Sequence, residues 1–172
     1  MLGRSKTDAA RERILSINPS AKVGTYTLLY TPESAAGFDL SKYDYIVDAI
    51  DMVTAKLELI VRANECGVPI ISSMGTGNKL NPEMFEITDI YKTSVCPLAR
   101  VMRRELKKRG IEKLKVLYSK EEPLKTATPP DSTVNSSTSA HTRQTPGSVS
   151  FVPPMAGFLI GGEVIKDLLN KQ

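Results

Sequence analysis

Apolar residues change their spacing several times along the chain, and each change predicts an element. In "KTDAARERILSINP", Ala10, Ile14 and Ile17 share one helical face, and Asn18-Pro19 supplies a stop because the residue before proline avoids the α region. A helix is predicted from about Ser5 to Ile17. "KVGTYTLLYT", rich in β-branched and aromatic residues, predicts a strand over 22–31, and "PESAAGFDLSK" a short helical or looped crossover. "DYIVDAI" is a continuous apolar run bounded by acids, the pattern of a strand buried on both faces of a parallel sheet. In "MVTAKLELIVRANECG", Val53, Leu57, Ile60, Val61 and Asn64 recur at helical spacing and Gly67 stands where a left-handed cap belongs. "VPIISSMG" predicts the next strand. Strand, helix and strand joined by short links form a βαβ unit, which requires parallel pairing.

Beyond this unit the pattern loosens. "TGNKLNP" reads as a turn-rich loop, and "MFEITDIYKTSV" alternates as a half-exposed strand. "CPLARVMRRELKKRG" predicts a helix with Leu98, Val101, Met102 and Leu106 as its apolar stripe, Pro97 in its first turn and Gly110 at its end. "LKVLYS" is one more strand. From Lys125 to Gly147 nearly all large apolar residues disappear, so this stretch is expected to be a polar, disordered linker. "VSFVPPMAGFLIGGEVIKDLLNK" predicts a C-terminal helix with Met155, Phe158, Leu159, Gly162, Ile165 and Leu169 inward, and Gly157, Gly161 and Gly162 leave room for a close neighbour. The expected organisation is an α/β domain over 1–123, a linker over 124–147, and a helix over 148–172 that packs back on the domain.

A length of 172 residues supports one domain with a sizeable core. The net charge of +4 permits an anionic partner without requiring one. Phe151 to Ile160 is too short to span a bilayer and contains Pro153 and Pro154, and no basic-then-apolar leader opens the sequence as read. Cys66, Cys96 and His141 form neither a disulfide framework nor a zinc pattern, so a reduced, cytoplasmic setting without membrane contact is expected. Cys66 and Cys96 read as packing residues, although Cys96 before Pro97 also sits where a helix start favours a thiolate.

Candidate chemistry gathers at the end of "DYIVDAID". Ligands of parallel α/β sheets bind beyond the carboxyl ends of the strands, which is where Asp48 and Asp51 fall. Residues three apart on a strand face opposite ways, so one acid is expected to be functional and the other structural. Asp51 has two accounts: a helix N-cap contributing about 1 kcal/mol, or a carboxylate holding magnesium beside a nucleotide phosphate. Between Lys92 and Lys125, eleven Lys or Arg residues stand against four Glu, which suits either a solvated helix face or contact with nucleic-acid phosphates. The glycines of "MGTGNK" suggest an anion cradle, with Asn78 and Lys79 as its polar groups.

The blocks "YDYIVDAIDMVTAKLELI", "GVPIISSMGTGNKLNP", "FEITDIYKTSVCPLARVMRRELKKRGI" and "SVSFVPPMAGFLIGGEVIKDL" resemble the ThiF/MoeB/HesA family of ubiquitin-activating-enzyme-like adenylating proteins, and within it the tRNA threonylcarbamoyladenosine dehydratase branch. The resemblance implies the C-terminal portion of a Rossmann-like, mostly parallel α/β adenylating domain with a C-terminal helix. The family's glycine-rich ATP-binding stretch has no counterpart here, and "MLGRSKTDAARERI" resembles the block that follows it. Lys6 then matches a lysine that contacts ATP phosphates, and Asp51 an aspartate at the magnesium and nucleotide site with a catalytic role. Asp48 matches the first acid of a D-x-x-D pattern and is given no role.

The activity implied is ATP-dependent. AMP is transferred to the threonylcarbamoyl carboxylate at tRNA position 37, and ring closure then expels AMP. ATP and Mg2+ are the implied cofactors. Implied partners are tRNA, a second copy in a homodimer, a separate polypeptide supplying the glycine-rich half, and a sulfur-transfer or cysteine desulfurase protein. Arg100, Arg103, Arg104, Lys107 and Lys108 are the expected tRNA contacts. Two alternatives stay open: a non-catalytic tRNA-binding or interaction module, and a sulfur-carrier-protein adenylyltransferase, against which the lack of a Cys-x-x-Cys pair counts. A sheet lacking its first strand would expose an apolar edge and is expected to associate or to be poorly stable.

Overall fold

The computed structural model describes residues 3–124 and 147–170. Helix α1 (Lys6–Ile17) and the short α2 (Pro32–Ala35) precede strand β1 (Ile46–Asp48), helix α3 (Val53–Glu65) and strand β2 (Ile70–Ser73). Strand β3 (Phe85–Asp89), helix α4 (Pro97–Lys108) and strand β4 (Lys115–Ser119) follow, and helix α5 (Val152–Leu169) ends the described chain. The sheet order is β1-β2-β4-β3, with β1, β2 and β4 parallel and β3 antiparallel to β4. This is the mostly parallel α/β sheet with a C-terminal helix that the sequence predicts. The linker expected over 124–147 lies, apart from its two end residues, outside the described residues, as does His141.

Alternation along the central strand sorts the layers. Val116 and Tyr118 of β4 join Leu57 and Ile60 of α3 and Ala99, Met102 and Leu106 of α4 in one core cluster. Leu117, on the opposite face, meets Ile71 of β2 and Ala156 and Ile160 of α5. Leu40, Ile46, Leu59, Ala63 and Val68 fill a third cluster beside β1. Gly67 and Gly110 close α3 and α4 at φ +67° and +71°, conformations in which a Cβ would be strained.

Several expectations fail, for a shared reason. Residues 22–31 form no strand and pair with no strand among the described residues, and Tyr26 stands edge-on to Phe38 at 5.0 Å between ring centroids. Backbone hydrogen bonds make a strand only where a neighbour is available, and none is available to this segment among the described residues. β1 is an edge strand, and Val47 on it is exposed instead of buried on both faces. α1 forms where predicted, yet it buries none of its residues. α5 turns the other way: Val152, Ala156 and Ile160 are buried, whereas Phe158, Ile165 and Leu169 of the expected inward face are exposed. This helix is apolar nearly all round, so spacing could not select its buried side. Cys66 is exposed and does not pack.

Candidate active site

A cleft of about 380 Å³ opens at the carboxyl ends of β1 and β2, on the α5 side of the sheet. Ala49, Ile50 and Asp51 border it on one side, Met74, Gly75 and Thr76 on another, and Ala156, Gly157 and Gly161 of α5 on a third. A Cβ built at Gly157 or Gly161 would meet no atom within 4 Å, so these glycines widen the cleft and no described element packs against them.

The two acids have separate environments. Asp48 is fully buried: its Oδ2 accepts the Ser72 hydroxyl at 2.6 Å and pairs with Lys56 Nζ at 2.9 Å, and its Oδ1 accepts the Ile50 N–H at 3.0 Å. Lys56, equally buried, also donates to the carbonyls of Ile50 at 2.9 Å and Ser73 at 2.8 Å. The pair uses all three ammonium protons and three of the four acceptor sites of the carboxylate, and full burial keeps Asp48 out of reach of a ligand in the cleft. Asp51 is exposed on the cleft. The N-cap of α3 is Met52, which makes no side-chain cap bond, so the capping account of Asp51 fails. Asp51 carries no hydrogen bond or ion pair among the described residues.

Lys6 is exposed at the first position of α1 and is not among the residues that line the cleft. Around the adjoining loop, Asn78 and Lys79 are committed to structure. Asn78 exchanges hydrogen bonds with Gly147 at 2.8 and 2.7 Å, and buried Lys79 donates to the Glu121 carbonyl. The Glu121 carboxylate accepts the N–H groups of Leu80 and Asn81 and the Asn81 side-chain amide. Burial pushes its carboxyl upward, but those donors together with Lys79 outweigh burial and hold it below the usual carboxylate range. This loop is clamped by Glu121 and does not present an anion cradle through Asn78 and Lys79. Cys96 is buried at the N-cap of α4, its Sγ accepting from the Ala99 N–H at 3.5 Å.

The basic residues of α4 divide. Arg100 and Lys107 are exposed, and their side chains make no hydrogen bond or ion pair among the described residues. Arg104, Lys108 and Arg109 surround Glu105, and their hydrogen bonds draw its carboxyl down to about 2. Arg103 bonds to the carbonyl and hydroxyl of Thr93, fixing the chain before α4. A larger groove of about 830 Å³ lies at the opposite end of the sheet, by the amino ends of β1, β2 and β4 and the carboxyl end of β3. There Lys115 bonds to Glu163 at 2.8 Å and to Asp167 at 2.7 Å, and Tyr45 donates to Asp167 at 2.6 Å, tying α5 to the sheet.

Sequence reasoning missed Lys56, Glu121 and the α5 wall of the cleft. Lys56 had a visible signal, a lone cation on the apolar face that carries Val53 and Ile60. Glu121 had none, because its partners lie forty residues away.

The whole chain, residues 1–172, matches the model of the ThiF family. It is 36% identical to a Bacillus subtilis tRNA threonylcarbamoyladenosine dehydratase over 98% of this chain and 68% of that protein. The Escherichia coli protein of the same name is 34% identical over 62% of this chain and 40% of its own length. Crystal structures of E. coli TcdA in complex with AMP and with ATP superpose with TM-scores of 0.82 and 0.80, at 26% and 25% identity. Each of these covers 98% of this chain, which spans 66% and 65% of theirs. The chain thus corresponds to about two thirds of the solved relatives, and it belongs to the ThiF family.

Proposed function

We propose that this chain is part of an ATP-dependent tRNA threonylcarbamoyladenosine dehydratase, with the nucleotide site at the cleft bordered by Asp51. The observation that carries the reading is the division of labour between the two acids: Asp48 is locked to Lys56 inside the fold, and Asp51 stands free at the strand ends where α/β sheets take ligands. The relatives that bind AMP and ATP share this fold.

Magnesium fits the residues present. It retains several waters and takes one or two carboxylates plus substrate phosphates, so Asp51 suffices as the protein's ligand. Among the described residues no group of three or more His, Cys, Asp or Glu could hold a metal ion. Bound there, magnesium would neutralise phosphate charge. Asp51 would orient the nucleotide through that ion, and Lys6, on α1 and outside the cleft lining, is kept as a phosphate contact on its match to the family's lysine. The reaction balances in two steps. The threonylcarbamoyl carboxylate takes AMP from ATP and releases pyrophosphate, and ring closure then expels AMP.

The tRNA contact is placed on α4, where Arg100 and Lys107 are exposed and unneutralised. A homodimer contact is placed on α5, whose exposed Phe151, Met155, Phe158, Ile165 and Leu169 recur with Gly162 at alternating spacings of four and three, a self-packing helical seam. No helix among the described residues is long and apolar enough to cross a membrane, and we place the protein in the cytoplasm.

Calorimetric titration of the chain with ATP and magnesium, beside Asp51→Ala, tests the reading. Binding that Asp51→Ala abolishes is expected. Binding that survives the substitution would remove Asp51 from the site. A second reading, a tRNA-binding module without catalysis, is favoured by the same free cations on α4. It predicts salt-sensitive tRNA binding with no dependence on ATP.

A further inference from the structure

Lys56 is a costly residue to bury, since an ammonium ion loses its hydration unless every proton finds an acceptor. Here every proton does: one goes to Asp48 at 2.9 Å, one to the Ile50 carbonyl at 2.9 Å and one to the Ser73 carbonyl at 2.8 Å. An apolar side chain could join α3 to the sheet without that desolvation. The two carbonyl acceptors suggest what the charge does beyond packing. Ile50 immediately precedes Asp51, and Ser73 immediately precedes Met74, and all four residues line the cleft.

In a planar trans peptide the C=O and N–H point in opposite directions. An Ile50 carbonyl held on the buried ammonium therefore directs the Asp51 N–H away from Lys56 and out of the core. That N–H has no partner among the described residues. The Ser73–Met74 peptide obeys the same rule: its carbonyl meets Lys56, and its N–H meets the Leu117 carbonyl at 2.8 Å, continuing the ladder to β4. Asp48 fixes the same turn from the other side by accepting the Ile50 N–H, and Ser72 on β2 holds Asp48. One buried cation thereby ties the end of β1 to the end of β2 and sets the orientation of the Asp51 backbone.

We propose that Lys56 is a positioning residue for the cleft: through the Ile50 and Ser73 carbonyls it holds the 49–51 turn so that the Asp51 N–H and carboxylate are presented together to a phosphate-bearing ligand. The N–H offers a hydrogen bond to a phosphate oxygen, and the carboxylate serves the accompanying cation. This rests on the nucleotide reading given above, and the test separates the two.

The test compares the parent chain with the double variant Asp48→Asn/Lys56→Met, which removes both buried charges together and leaves neither unpaired. Amide hydrogen exchange is followed by mass spectrometry, alongside calorimetric titration with ATP and magnesium. Exchange is expected to accelerate about tenfold in peptides covering 49–52 while α4 and β4 keep their protection, and ATP affinity is expected to fall about tenfold, the loss of one charge-assisted contact. A folded double variant with parental exchange at 49–52 would overturn the proposal, as would parental affinity in a parent that binds. If the parent itself binds no ATP, the nucleotide reading fails, and the exchange comparison alone decides whether Lys56 orders the turn. Should the double variant not fold, Lys56→Arg replaces it: the guanidinium keeps the charge beside Asp48 but cannot place its fork as a single point between two carbonyls. The same two outcomes then decide.

Discussion

Residues 3–31 and residues 46–119 both hold large apolar residues at positions that predict elements, and they meet opposite fates. In the second region, Ile60, Ile71, Met102, Leu106, Val116 and Leu117 are all at or below 1% exposure. In the first, Ile17 is 70% exposed, Leu29 63% and Tyr26 58%. Local sequence placed apolar residues in both regions, but the apolar face of α1 is narrow and burial also needs a surface to be buried against. β2 and β4 have strand neighbours on both sides and helices on both faces, whereas α1 buries none of its residues and the 22–31 segment has no strand partner among the described residues. Amphipathicity states that a residue can be buried and leaves open what will cover it.

That contrast can be broken most sharply at its buried extreme. Lys56→Met strands the Asp48 carboxylate inside the fold and is expected to cost about 3–5 kcal/mol, read from the urea midpoint. Parental stability would mean that the pair is dispensable to the packed region. Leu106→Ala, in the cluster shared by α3, α4 and β4, is expected to cost about 2–5 kcal/mol by the same measurement. A loss below about 0.5 kcal/mol would show that the cluster collapses to fill the space.

The Glu121 clamp gives a smaller and pH-dependent effect. Its carboxyl lies below its ordinary value, so its contribution is complete above the unfolded carboxylate pKa of about 4.3 and is lost as pH falls through the lower folded value. Glu121→Gln is expected to cost about 1–3 kcal/mol at neutral pH and to flatten the acid limb of a stability profile. An unchanged limb would assign it to other carboxylates. Smallest of all, Ile17→Ser and Leu29→Ser are expected to change monomer stability by no more than about 0.5 kcal/mol. A loss above about 1 kcal/mol would show that these side chains are covered in solution, and its dependence on protein concentration would tell a second copy from an intramolecular cover.

The legible parts of the fold were those whose information is local. The helices at Lys6–Ile17, Val53–Glu65 and Pro97–Lys108 and the strands at Ile46–Asp48, Ile70–Ser73 and Lys115–Ser119 appear where periodicity, proline and glycine place them. The expectation that one of Asp48 and Asp51 is structural came from strand geometry, and the Asp48–Lys56 pair supplies the structural partner. The antiparallel seating of β3 beside β4 was not legible, because register between strands that are distant in sequence is a property of the sheet and not of either strand.

The sequence by itself determined the class of fold, the order of its elements and the placing of both acids at strand ends, since dihedral preference and side-chain periodicity act over a few residues. Only the tertiary structure decided which side of α5 is buried, that 22–31 has no partner strand among the described residues, and that Asp48 rather than Asp51 is enclosed. Those outcomes depend on what stands opposite. Lys56 lies in the first turn of α3 and Ser72 on the neighbouring strand, and together they close around Asp48 and leave Asp51 facing the cleft.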